Sequence, residues 1–190
     1  MLKAFDKEAR KHNVYPLKSG KNADSKNYPN SKRTHYDIYT GARTYGEYPF
    51  FDGVEGRPYT LTVYIDEAGT CPDGILVSQK QFALYARKGK LIYATNNGEK
   101  LLASSDLPSG RSVVKVIVEH KKKHSVVNLF INDEPSGNKE MSEIINLPAN
   151  KNPIEVGRQW GVPVNEDYMS PFLFSGKIFK ASIDIDTSHK

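Results

Sequence analysis

The chain has 190 residues, a formal net charge of +5, 38% hydrophobic and 11% aromatic residues, and one cysteine. That length suits one large domain, able to bury roughly 70% of the surface its unfolded form exposes. A mean hydropathy of −0.58 and the lack of an 18-residue apolar run exclude a transmembrane helix, and the single Cys71 excludes an internal disulfide framework or a cysteine-rich zinc site.

In chain order, Leu2, Phe5 and Ala9 with charges between them predict a short amphipathic helix over 2–12. The N-terminus has no long apolar stretch, so no secretory signal is read there and the default expectation is a cytoplasmic chain. Residues 18–33 are polar, rich in Asn, Ser and Lys, and read as a linker. Residues 1–33 hold nine Lys and Arg against three Asp and Glu, whereas the rest holds 18 against 19. The basic charge therefore belongs to a solvated lead-in, and neither a nucleic-acid partner nor a membrane partner is expected. This divides the chain into 1–33, helix and basic linker, and 34–190, a β domain.

From Thr34 onward short alternating runs take over. Tyr59, Leu61, Val63 and Ile65 share one face; so do Val114, Val116 and Val118, then Val127, Leu129 and Ile131, then Phe179, Ala181, Ile183 and Ile185. A period of two over such lengths means strands with one buried face. Turn residues recur between them, at Asp73-Gly74, Lys88-Gly89, Asn97-Gly98, Ser109-Gly110, Asn132-Asp133 and Ser136-Gly137. Phe82–Arg87, Lys88-Gly89 and Lys90–Thr95 predict a tight hairpin, and Lys121-Lys122-Lys123 another turn. Many strands without a long helical pattern predict an all-β, antiparallel two-sheet sandwich.

Catalytic patterns are missing. The five histidines, 12, 35, 120, 124 and 189, form no H-E-x-x-H pair, and His120 and His124 flank a triple lysine that repels a cation. There is no G-x-S-x-G elbow and no phosphate-cradling glycine loop. Cys71 has no neighbouring cation to lower its pKa and reads as a turn cysteine. Asp184-Ile185-Asp186 lacks the flanking glutamate that the E-x-D-x-x-E pattern of lectin-like glycosidases has, and reads as surface acids on a last strand. The remaining signal is aromatic. Trp160, in Gly157-Arg158-Gln159-Trp160-Gly161, is placed to stack a sugar while Arg158 and Gln159 bond its hydroxyls, or else to cap one sandwich edge. Tyr168 joins this candidate ligand set. Tyr45, Tyr48, Phe50 and Phe51 form a second group, read as core and loop anchors.

Three blocks, Glu8–Leu17, Gly74–Tyr93 and Val156–Ile178, resemble the C-terminal β-sandwich domain of bacterial arylsulfatases, over roughly residues 7–186. The resemblance implies a jelly-roll sandwich of the concanavalin A or laminin-G type. It also implies an accessory domain that packs against a sulfatase catalytic domain or chain. The formylglycine motif C/S-x-P/A-x-R is absent, since Pro72, Asp73 and Ile75 follow Cys71, and so is the metal-binding aspartate pair. No catalytic residue carries over, so the chain is expected not to be an enzyme. No cofactor or metal site is expected, with a structural calcium ion in a loop left open. The alternative function is a stand-alone carbohydrate-binding module that takes a glycan at Trp160, Arg158, Gln159 and Tyr168.

Overall fold

The computed structural model describes residues 34–41, 56–147 and 154–187. The helix expected over 2–12, the arylsulfatase-like block 8–17, the aromatic group Tyr45–Phe51 and His12 and His189 lie outside these residues. The strands are β1 (His35–Tyr39), β2 (Tyr59–Glu67), β3 (Gly74–Ser78), β4 (Phe82–Arg87), β5 (Lys90–Thr95), β6 (Lys100–Asp106), β7 (Ser112–His120), β8 (Ser125–Ile131), β9 (Glu134–Met141), β10 (Glu155–Val156), β11 (Arg158–Gln159), β12 (Phe172–Leu173) and β13 (Lys177–Ile185).

They pair antiparallel into a six-stranded sheet, β1-β13-β2-β7-β8-β9, a five-stranded sheet, β10-β3-β4-β5-β6, and a small β11-β12 ribbon. The chain thus forms the all-β antiparallel sandwich expected from its patterning. The core between the sheets joins Leu61 and Val63 of β2, Val114 and Val116 of β7, and Ala181 and Ile183 of β13 with Leu76, Leu84, Leu91 and Tyr93 of the opposing sheet. The hairpin of β4 and β5 falls at its expected residues. Its turn places Lys88 and Gly89 at φ of 50° and 79°, the paired left-handed geometry that suits the twist of a two-residue hairpin. Asn132 and Asp133 do the same between β8 and β9, at 52° and 65°.

One strand departs from its expected phase. In β13 the buried apolar residues are Ile178, Ala181, Ile183 and Ile185, and Phe179 is 58% exposed. Ile178 pairs with Ile65 and Lys180 with the adjacent Tyr64, so Phe179 is an extra, unpaired residue. The bulge reverses the alternation at that point and turns the ring outward, where it meets Tyr39 edge-on at 5.7 Å between centroids.

The five-stranded sheet is apolar on both faces. β3 and β4 bury nearly every residue, the pattern of strands covered on two sides. The second cover is the segment 160–171, a strap across the sheet's outer face. Val164 and Tyr168, with Phe172 beyond it, pack there on Ile75, Ala83, Tyr85, Ile92 and Ala94.

Candidate functional site

β10 and β11 bring the sequence-selected residues together. Gly157, at a φ of 75°, separates the two short strands and lets the chain change partners: its N–H donates to the Leu76 carbonyl (2.9 Å) and its carbonyl accepts from the Phe174 N–H (3.0 Å). β10 thereby stays on β3, with Glu155 opposite Ser78, while β11 pairs with β12.

The four selected residues have distinct surroundings. The Trp160 ring is 53% exposed. Its backbone N–H donates to Glu155 Oε2 at 3.2 Å, and the Arg158 guanidinium lies 5.8 Å from the ring centroid. Arg158 also donates to the Gly41 carbonyl at 2.5 Å, so the guanidinium is tethered to β1's end and supports the indole from one side. Gln159 and Tyr168 are buried and bonded to each other. The Tyr168 hydroxyl donates to Gln159 Oε1 (2.6 Å) and accepts from the Val164 N–H (3.2 Å), and Gln159 Nε2 donates to the Val162 carbonyl (2.9 Å). Their polar atoms hold the strap, and burial raises the Tyr168 phenol pKa.

Beside them lies a cleft of about 490 Å³, lined by Ser78, Gln79, Lys80 and Asn96 on one side and by Glu155, Gln159 and Gly161–Val164 on the other. Five of its polar residues, Ser78, Gln79, Lys80, Asn96 and Glu155, were not singled out in the sequence. Glu155 and Ser78 face each other only because β10 pairs with β3, a contact that no local spacing signals. Gln79 is committed to the scaffold, donating to the Asn146 carbonyl at 3.1 Å. Ser78 Oγ is buried with no hydrogen-bond partner among the described residues, and the Asn96 side chain is exposed with none. The half-exposed Trp160 beside the cleft and the exposed Asn96 amide are therefore available to a ligand, whereas the Ser78 hydroxyl is buried.

The strap is pinned further on by a polar cluster. The Tyr85 hydroxyl donates to Asp167 Oδ2 (2.5 Å), Lys100 Nζ donates to Asp167 Oδ1 (2.5 Å), and Asn165 Nδ2 donates to the Tyr85 oxygen (3.2 Å). The Lys100 ammonium, with help from Tyr85, holds the Asp167 carboxyl below its usual range. Burial, reinforced by Asp167, pushes the Tyr85 phenol well up.

The other residues weighed in the sequence lie elsewhere. Cys71 is exposed on its turn. His120, beside the triple lysine, is partly buried: its Nε2 lies 3.1 Å from the Ile145 carbonyl and its ring meets Tyr59 edge-on at 6.2 Å. A cleft of about 660 Å³ at the end of the six-stranded sheet includes Glu119, Lys121 and Asp184. Lys121 lies 3.5 Å from Glu119, and Asp184 is bonded to His35 at 2.6 Å. Among the described residues no group of three or more His, Cys, Asp or Glu is placed to hold a metal ion. Of the arylsulfatase-like blocks, 74–93 forms β3 through most of β5, and 156–178 supplies β11, the strap, β12 and the start of β13.

No family model matches the chain, and no curated protein matches it. Among solved structures it is similar to the galectin LEC-6 of Caenorhabditis elegans, at 10% identity over 82% of this chain and 98% of that one, with a TM-score of 0.44. It is also similar to the native heptameric SAP-like pentraxin of Limulus polyphemus, at 15% identity over 81% of this chain and 75% of that one, with a TM-score of 0.44. These are likenesses of sandwich fold and assign no site.

Proposed function

We propose that the chain is a carbohydrate-binding module that holds a glycan in the cleft beside Trp160. The observation that carries this reading is the half-exposed Trp160, its backbone held by Glu155 and its ring beside Arg158, next to a cleft where the exposed Asn96 amide has no partner among the described residues. A sugar ring has an apolar C–H face that stacks on an aromatic plane and a rim of hydroxyls that must regain hydrogen bonds lost from water. Trp160 beside the cleft offers the first, and the cleft's polar lining, with Asn96, offers the second. Gln159 and Tyr168 support the site from beneath, and Arg158 positions the indole.

Binding without hydrolysis fits the described lining, in which Glu155 is the single carboxylate; glycoside cleavage ordinarily uses two, about 5–10 Å apart. The accessory role beside a sulfatase catalytic domain or chain rests on the sequence resemblance, and no feature of the described surface favours it over glycan binding.

The test is a glycan array probed with the chain and with Trp160→Ala. Retention of a defined glycan class is expected, with affinities between millimolar and micromolar. The substitution is expected to weaken binding roughly tenfold, the equivalent of about 1.4 kcal/mol, with an unchanged melting temperature because the ring is half exposed. An array with no retained glycan, or a variant that binds as the parent does, overturns the reading.

A further inference from the structure

The cleft beside Trp160 has a neighbour. A second cleft, of about 760 Å³, runs from Asn97 and Lys100 to Met169, and shares Asn96, Pro163 and Val164 with the first. The two meet at the stretch 161–164 of the strap. Val162, on the side of the first cleft, is 88% exposed, and Met169, on the side of the second, is 84% exposed. Asn96 stands at the junction, its backbone N–H anchored to the Gln81 carbonyl at 3.0 Å and its side chain without a partner among the described residues.

Resting on the glycan reading, we propose that the two clefts are consecutive subsites of one groove, so that the ligand is a linear oligosaccharide long enough to cross the strap rather than a single terminal sugar. Trp160 and the polar lining of the cleft beside it serve the first subsite. Met169 forms an apolar wall of the second, where a thioether adapts to the C–H face of a sugar. Asn96 bonds the stretch of chain between them. The second subsite is lined by Lys100 and Asp167, paired with each other at 2.5 Å, and by Asn97, Asn165 and Glu166, amide and carboxylate groups that bond sugar hydroxyls. A groove continuous over both clefts makes affinity depend on ligand length, because each further sugar adds contact without the full entropic cost of a separate association.

The experiment is calorimetric titration with linear oligosaccharides of two to six residues from the cellulose, chitin and maltose series, read as the ratio of hexamer to dimer affinity. A ratio of tenfold or more is expected for the parent chain in the series that binds. Met169→Ala and Asn96→Ala are each expected to lower that ratio severalfold. A dimer that binds as tightly as the hexamer overturns the two-subsite groove while leaving the Trp160 site standing, and so does a ratio that neither substitution changes. If dimer and hexamer of all three series fail to bind, the proposal for neutral linear chains is overturned. If the glycan array is blank as well, the carbohydrate reading falls with it.

Discussion

The outer faces of the two sheets are finished in opposite ways. The five-stranded sheet carries the strap, and its aromatic rings are used as anchors: Tyr168 stacks on Phe172 at 4.8 Å and tilts over Tyr85 at 5.1 Å. On the six-stranded sheet, His35, Asp37, Tyr39, Phe179 and Asp184 lie on a face that the described residues leave largely open, and its bonds are surface ion pairs. Abundant aromatic residues therefore do not mark binding surface by themselves. Most rings near the strap are buried, whereas Trp160, where the strap begins, is half exposed beside a cleft.

Substitutions on the two faces should separate them, and the largest effect is expected where the strap's end meets the sheet. Gly74 has a φ of 115°, and a Cβ there would lie 2.0 Å from the Leu173 carbonyl oxygen. Gly74→Ala should cost upwards of about 3 kcal/mol through strain and clash, read by chemical denaturation. Next is Tyr168→Phe, which removes the hydroxyl from Gln159 and Val164 in a buried setting and should cost about 1–3 kcal/mol. Phe179→Ala on the open face should stay within about 0.5 kcal/mol. Equal losses from these two ring substitutions would erase the distinction between anchored and open faces.

The faces should also respond to pH in opposite directions. Asp167 under the strap has a lowered folded pKa, chiefly from Lys100. Its contribution is present above the ordinary carboxylate value and is lost as pH falls through the folded one, so strap amides should exchange faster below about pH 4. With Lys100 and Asp167 each about a third exposed, the effect should be at most about 1 kcal/mol, and Asp167→Asn should remove it. His35 on the open face has a raised pKa, first through its hydrogen bond to Asp184. Its contribution is full below the ordinary imidazole value and fades as pH rises through the folded one. The imidazole is well exposed, so this is the smallest effect, to be read by NMR titration of His35 and its return toward the ordinary value in Asp184→Asn.

The same contrast explains what could be read in the sequence. β7 and β8 of the six-stranded sheet alternate cleanly, so Val114, Val116 and Val118 or Val127, Leu129 and Ile131 reveal their buried face directly. The β4–β5 hairpin was legible from its two-residue turn. The bulge at Phe179 was not, because one extra residue in a ladder leaves no compositional mark and reverses only the phase nearest to it. The meeting of Ser78 with Glu155 arises from a pairing of distant segments, and the Tyr168–Gln159 bond from the path of the strap between them, so Trp160 was visible as a candidate while most polar residues of its cleft were not.

The most direct measurement uses the chain's single tryptophan as its own reporter. A glycan retained on the array would be titrated into the chain while Trp160 emission and its quenching by iodide are followed. Binding in the cleft predicts a saturable emission change and protection from iodide, with the same dissociation constant as calorimetry. Saturable calorimetric binding that leaves both optical signals unmoved would contradict a site at Trp160 and place the glycan elsewhere on the sandwich.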